Sequence, residues 1–168
     1  MTPMDGWDDD LRQAMPADLP ALNRVVEAAV MSWNLPERVK RLSLPSYRYD
    51  EADLQHLILW LVEQSDSAEP VLAVAGWEAA DASECPSHQR GLLLHGLYVL
   101  PQYRHHGLGT RLLQAAEQAA GAEAYAGVLV KAQKQAAGFF RKQGYQPLPV
   151  TDCSRDYAHR FWKPVIQL

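Results

Sequence analysis

Tyr98-Val-Leu-Pro-Gln-Tyr-Arg-His-His-Gly-Leu-Gly-Thr110 is the stretch that decides how this chain is read. Just upstream, Gly91-Leu-Leu-Leu-His-Gly-Leu-Tyr-Val99 is apolar and bounded by turn residues, the pattern of a buried strand. Downstream, Leu108, Leu112, Ala116 and Ala119 recur at helical spacing, with Arg111, Gln114, Glu117 and Gln118 facing elsewhere. The order is strand, glycine-containing turn, helix N-terminus. Unpaired N–H groups and the positive end of the dipole make a helix N-terminus a ready site for phosphate. Gly107 and Gly109 would let a pyrophosphate approach those groups with no Cβ in the way.

The bulk properties narrow the classes. A chain of 168 residues with 48% hydrophobic residues suits one domain with a sizeable core. A net charge of -4 argues against a general nucleic-acid binder, so no nucleic-acid partner is expected. Two cysteines, Cys85 and Cys153, are too few for a disulfide framework. The apolar runs 57–62 and 71–77 fall short of the roughly 20 residues of a membrane span, so no membrane partner is expected. Asp5, Asp8, Asp9 and Asp10 are unlike a signal peptide, and the expected location is cytoplasmic.

Read in order, residues 1–10 are a loose end and residues 11–168 a single domain. The expected elements begin with a short strand at Leu11–Met15 and a helix capped by Asp18, with Leu19, Leu22, Val25, Val26, Ala29 and Val30 on one face. A second short helix follows over Pro36–Leu42. Residues 57–63 suit either a strand or the end of a helix starting near Asp50; strand is preferred, paired through a turn with Val71–Ala79. Ala80–Arg90 reads as a surface loop. The helix after the quoted turn should stop at Gly121, a strand should follow over Ala124–Ala132, and a helix over Gln133–Gln143 should stop at Gly144. Tyr145–Val150 and Tyr157–Val165 read as a closing strand pair. The alternation argues an α/β (α+β) fold with a mixed sheet.

Two familiar glycine loops fail on residues. A dinucleotide fingerprint needs a third glycine where Leu112 stands, and a P-loop needs a lysine before Thr110. The residues instead resemble the GNAT N-acetyltransferase superfamily. Arg104-His-His-Gly-Leu-Gly109 after Val99-Leu-Pro101 matches its Arg/Gln-x-x-Gly-x-Gly/Ala loop at a Val-x-Pro strand end. Ala136-Ala-Gly-Phe-Phe-Arg-Lys-Gln-Gly-Tyr145 resembles its second motif. The resemblance covers nearly the whole chain.

It implies a twisted central sheet of about 6–7 strands, helices on both faces, and a splay between the strands at 91–99 and 124–132. Acetyl-CoA would be the co-substrate, with no metal. The pantetheine arm would lie along Leu97, Tyr98 and Val99, and the pyrophosphate on Arg104, His105, His106, Gly107, Leu108, Gly109 and Thr110. Gln133 and Phe140 would complete the CoA side. Gly96 would mark the splay; the plain alternative is a packing accommodation. The reaction implied is attack of an amine, of a small molecule or peptide, on the acetyl thioester.

Several members carry a glutamate where this chain has His95, so His95 is the candidate base; histidine titrates near neutrality. Strand parity puts Leu93, His95, Leu97 and Val99 on one face. The alternative is a buried, hydrogen-bonded histidine. Many members place a tyrosine acid where this chain has Phe140, which has no proton to give. Tyr98 or Tyr145 is the substitute, or water, or none. That departure keeps a second class open, a degenerate domain that binds acyl-CoA as a sensor or regulator. Trp60, Trp77 and Trp162 read as core, and His105-His106 as solvated loop side chains. The basic, aromatic segment Arg38–Tyr49 points to an anionic or aromatic acceptor. A homodimer is a family expectation.

Overall fold

The first strand, Asp9–Gln13 (β1), begins two residues before the expected Leu11. The structure is a computed structural model and describes residues 9–65, 68–154 and 156–166; most of the expected loose end, residues 1–8, lies outside the described residues. The elements that follow are Leu19–Met31 (α1), Glu37–Tyr47 (α2), Glu51–His56 (α3), Ile58–Gln64 (β2), Val71–Ala79 (β3), Gly91–Val99 (β4), Leu108–Ala122 (α4), Gly127–Lys131 (β5), Ala137–Lys142 (α5), Gln146–Pro147 (β6) and Arg160–Pro164 (β7). The fold is mixed α/β. Seven strands form one sheet in the order β1-β2-β3-β4-β5-β7-β6. β1 with β2, β5 with β7, and β6 with β7 are antiparallel, whereas β4 with β5 is parallel. By clustering of the chain, Met1–Gly76 with Gly96–Leu113 forms one compact unit, and Trp77–His95 with Gln114–Leu168 the other.

In the first unit, α1 buries Leu22, Val25, Val26, Ala29 and Val30, the face its spacing predicts. Asp18 holds the N-cap position, but its carboxylate turns back. It accepts from the Met15 N–H at 2.7 Å and takes a two-pronged contact from Arg12, whose Nε also reaches Glu63. Those bonds hold the Asp18 carboxyl below its ordinary range, the Arg12 hydrogen bond being the largest cause.

α2 runs past Leu42 to Tyr47, through Pro45, with Leu44 and Lys40 buried. The ambiguity at residues 57–63 resolves into both readings: Asp50 caps α3 by accepting from the Asp53 N–H at 2.9 Å, and β2 follows at once. β3 and β4 have the expected bounds. The Leu100 N–H reaches the Leu72 carbonyl at 2.9 Å.

In the second unit, the Ala80 N–H reaches the Gly91 carbonyl at 2.8 Å, and β4 pairs β5 from Gly91↔Gly127 to Leu94↔Val130. Both glycines of the first pair serve Trp162. A Cβ on Gly91 would lie 2.8 Å from the indole, and one on Gly127 would lie 2.4 Å from it. Trp162 packs there with buried Cys85 and Leu129, a core position as expected. Arg160 is also buried; its guanidinium donates to the carbonyls of Glu84 and Pro149, tying two loops together.

Several expected boundaries move in this unit, the start of α5 from Gln133 to Ala137 among them. α4 does not stop at Gly121; it runs to Ala122 and closes with Tyr125 N–H to Ala120 carbonyl at 2.9 Å and Ala124 N–H to Gly121 at 3.3 Å. That is a Schellman pair, and the residue forced left-handed is Ala124 at φ 61°. With residues 124 and 125 used in the cap, β5 starts only at Gly127. β6 shrinks from Tyr145–Val150 to two residues, because Pro147 and Pro149 have no N–H for a ladder. β7 starts at Arg160, since Asp156 accepts from Thr151 and Asp152 and keeps that segment in a turn. Gly144, at φ 90°, does end α5 as expected.

The left-handed alanine is a removable strain. A left-handed L-residue costs roughly 1–2 kcal/mol relative to a right-handed one, and glycine escapes that. Ala124→Gly should therefore raise the thermal midpoint by about 2–4 °C, measured by calorimetry. A lowered midpoint would show that Ala124 is not the closing residue of α4.

Candidate active site

The turn from β4 to α4 carries the quoted loop. Leu100 and Pro101 accept from the N–H groups of Tyr103 and Arg104, so the strand end winds into one 3-10 turn. The chain then turns left-handed at His105, φ 66°, and again at Gly107, φ 80°. Left-handed residues within a turn curl successive N–H groups toward one concavity, an anion nest. α4 begins there; its ladder opens with the Arg111 N–H on the Gly107 carbonyl at 3.0 Å. The N–H groups of Leu108, Gly109 and Thr110 precede that bond and point out of the helix start. A Cβ built on Gly107 meets nothing within 4 Å, so the concavity is open at its floor. Nested N–H groups, a dipole end and open space above a glycine fit a pyrophosphate.

Arg104 is exposed and its guanidinium donates to Ser32 Oγ, at the C-terminal end of α1. His105 is exposed, and the half-buried His106 lies tilted to Tyr103 at 6.4 Å.

On β4 the burial pattern alternates. Leu92, Leu94 and Tyr98 are buried, while Leu93, His95, Leu97 and Val99 are partly or fully open. The parity placing His95, Leu97 and Val99 on one face is the parity seen. His95 is not a buried histidine: 47% of its side chain is exposed, and its Nε2 lies 3.9 Å from Oε1 of Glu78 on β3.

Tyr98 faces the other way and is buried. Its ring meets Tyr47 edge-on at 6.5 Å and Tyr49 at 6.4 Å, and Tyr47 meets Trp33 at 5.3 Å. Burial, with Tyr47 beside it, pushes the Tyr98 phenol well above its ordinary range.

Tyr49 explains Gly96. A Cβ on Gly96 would lie 2.7 Å from the Tyr49 hydroxyl and 2.7 Å from the Tyr98 ring, and one on Gly76 would lie 3.5 Å from the same hydroxyl. Gly96 is therefore a packing accommodation. That hydroxyl is buried and makes no hydrogen bond.

In the second unit, Gln133 is half-buried at the start of the 3-10 turn before α5. Phe140 is buried, edge-on to Tyr145 at 5.7 Å and stacked on Phe161 at 6.2 Å. Tyr145 is buried too, and its hydroxyl makes no hydrogen bond. Glu117 is held by Lys163 at 3.0 Å. Most of the basic side chains expected to form a surface at Arg38–Tyr49 are paired with groups outside that segment. Lys40 meets Glu37 and the Met31 carbonyl, Arg41 meets Glu37, and Arg48 meets Glu27.

Sequence reasoning underweighted two features, the Glu78–His95 meeting and the ring series Trp33–Tyr47–Tyr98–Tyr49. Glycines at 76 and 96 on neighbouring strands were the available sign of the second. Among the described residues, no group of three His, Cys, Asp or Glu side chains could hold a metal. No helix among them is long and apolar enough to cross a membrane.

Residues 55–147 match the family profile described as an acetyltransferase (GNAT) domain. The match spans more than half of the chain, and the protein belongs to the GNAT acetyltransferase family, whose general activity is acyl transfer. No curated protein sequence matches it. Among solved structures it is similar to the PaiA N-acetyltransferase of Thermoplasma acidophilum in complex with coenzyme A, with a TM-score of 0.70 at 14% identity over 92% of this chain and 97% of that one. A GCN5-related N-acetyltransferase of Ralstonia eutropha gives 0.70 at 21% identity, covering 88% and 97%. The ribosomal-protein-S18-alanine N-acetyltransferase of Escherichia coli gives 0.60 at 15%, covering 95% and 96%. At these identities the likeness is one of fold.

Two predictions test this geometry. Gly107→Val places a branched side chain at φ 80° and into the open floor, so the Kd for CoA by calorimetry should rise at least about tenfold; an unchanged Kd would put the pyrophosphate elsewhere. Tyr49→Phe removes a buried hydroxyl that has no partner, so unfolding free energy should hold steady or rise by up to ~1 kcal/mol. A loss of more than ~1 kcal/mol in urea unfolding would show that the hydroxyl is bonded in solution.

Proposed function

We propose that this protein is an acetyl-CoA-dependent N-acetyltransferase acting directly on an amine of a small molecule or peptide, in a single GNAT domain over residues 11–168 of a cytoplasmic protein. The observation that carries the reading is the open, left-handed nest at His105–Gly107 at the head of a 15-residue helix. Arg104, His105, His106, Gly107, Leu108, Gly109 and Thr110 would hold the pyrophosphate, and the open-face residues Leu97 and Val99 the pantetheine arm. Gln133 completes that side.

Acetyl-CoA supplies an activated acetyl group: the amine nitrogen forms the new C–N bond as the C–S bond breaks, and CoA departs as its thiol. His95 takes a proton from the ammonium form of the acceptor, which an alkyl amine with a pKa of about 10.4 must lose before it can attack. The Val99 N–H, at the strand end, polarises the carbonyl that gains charge. Tyr98 keeps its proton at neutral pH as an ordinary phenol does, burial drives its titration further up, and it would act as a hydrogen-bond donor. The second proton of the attacking nitrogen supplies the thiol, and the proton on His95 passes to solvent.

The acceptor side favours an aromatic amine over an anionic one. The basic side chains of α2 are largely paired, whereas Trp33 and Tyr47 are half-buried rings with an edge-on geometry that suits further stacking.

The decisive assay is release of CoA thiol from acetyl-CoA across a panel of tyramine, tryptamine, spermidine, lysine and an alanine-led peptide. Steady, amine-dependent release is expected, fastest with the aromatic amines. CoA binding without amine-dependent release would replace the enzyme with an acyl-CoA sensor. His95→Gln should lower kcat by about 10²-fold or more, with KM for acetyl-CoA nearly unchanged. A variant that keeps the wild-type kcat and pH profile would remove His95 as the base.

A further inference from the structure

β3 is buried at every position from Val71 to Trp77, and Glu78 is the first residue to emerge. β4 is closed at Leu92 and Leu94 and opens at His95. The two emergent side chains meet, Nε2 of His95 lying 3.9 Å from Oε1 of Glu78. Among the described residues, Glu78 pairs with no lysine or arginine. The nearest cation by register is Lys131, one step beyond the Leu94↔Val130 pair, and its Nζ is held at 2.7 Å by Glu84. Arg160, the register partner of Lys131 on β7, is held in turn by Asp156 at 3.6 Å, so both of these cations have carboxylates of their own and His95 faces Glu78.

An ionised carboxylate accepts hydrogen bonds and donates none. An imidazole nitrogen that faces one therefore carries the hydrogen, and the other nitrogen keeps the lone pair. At 3.9 Å the contact is an ion-pair distance and longer than a hydrogen bond, so the carboxylate acts on the imidazole through its charge, which favours hydrogen on the nitrogen that faces it.

We propose that Glu78 is a positioning residue that holds neutral His95 in its Nε2–H form, leaving Nδ1 as the atom that takes the amine's proton. This rests on His95 being the base. The ammonium N–H bond breaks and the Nδ1–H bond forms. The imidazolium then carries hydrogen on both nitrogens, with Nε2–H directed at the Glu78 carboxylate. Return of the Nδ1 proton to solvent restores the starting form, and no oxidant or reductant takes part.

The test has an arm that needs no acceptor. Long-range ¹H–¹⁵N spectra at alkaline pH, with the His95 signals assigned by their loss in His95→Gln, should show a single Nε2–H form in the wild type. Glu78→Ala should show a mixture of the two forms, and Glu78→Asp should restore the single form. A mixture or an Nδ1–H form in the wild type, or spectra indifferent to Glu78→Ala, would overturn the proposal.

The kinetic arm uses tyramine and acetyl-CoA. Glu78→Ala should lower kcat by about 10–100-fold, with KM for acetyl-CoA and the thermal midpoint unchanged, and Glu78→Asp should recover part of the loss. In a His95→Gln background the same change should cost nothing further. Full activity in His95→Gln would overturn the base assignment itself. A His95→Gln of lowered kcat whose double variant loses still more would leave His95 as base and overturn only the pairing.

Discussion

Where a side chain lies tight against a strand backbone, the strand can carry no Cβ at the point of contact, and that constraint recurs in both units of this chain. In the first, the Tyr49 hydroxyl lies against Gly96 and Gly76, with the Leu59 side chain filling the rest of the space over Gly76. In the second, the Trp162 indole covers Gly91 and Gly127, which are register partners at the start of the parallel pair. Gly96, Gly91 and Gly127 are dictated by rings from elsewhere in the chain, and Gly76 by the Leu59 side chain, whose Cδ2 a Cβ would approach to 2.6 Å. Packing density leaves no slack for a methyl group at 2.4–2.8 Å. Fixing the rings fixes β4 at both ends, and β4 carries His95, Tyr98 and the start of the loop.

This is also why part of the molecule was legible in the sequence and part was not. Local chemistry was readable: the bounds of β3 and β4, the buried face of α1, the stop at Gly144 and the loop with its two glycines all follow from patterns within one element. The role of Gly96 depends on a tyrosine 47 residues away, so spacing alone could not separate a splay from a packing site. The end of α4 was misplaced for a similar reason. Gly121 offers the better local chemistry, yet Tyr125 is buried and draws the helix on until Ala124 must take the left-handed position. Tertiary burial outweighed a preference of about 1 kcal/mol.

The candidate site shows the same division. The left-handed turns at His105 and Gly107 are backbone geometry encoded by adjacent residues, and they lie within the loop that the sequence singled out. The charge arrangement around it was not so encoded. Segment Arg38–Tyr49 looks basic as a string of letters, but Glu37 serves both Lys40 and Arg41, and Glu27 reaches Arg48 from α1. The helical spacing of Glu37 and Arg41 was visible; the pairing of Arg48 across 21 residues was not. What survives of the segment's character is its rings.

The phenylalanine at position 140 now has a physical account. Its ring sits in the core of the second unit, against Phe161 and Tyr145. Tyr145 already brings one buried hydroxyl there, with Glu117 beside it as its polar neighbour. A tyrosine at position 140 would bring a second polar group into the same apolar surroundings, and each unpaired one costs roughly 1–3 kcal/mol. Position 140 in this chain is a buried position whose phenyl ring has no proton to give. Within each unit burial also makes the phenols poor acids, since desolvation disfavours the phenolates that Tyr98 and Tyr49 in the first and Tyr145 in the second would become. A proton for the departing thiol then has its simplest source in the attacking nitrogen itself, which must shed one to become an amide. On that route the site needs a base for the incoming ammonium and no dedicated acid, which is the division of labour that an open-face histidine on β4 and a phenylalanine on α5 would produce.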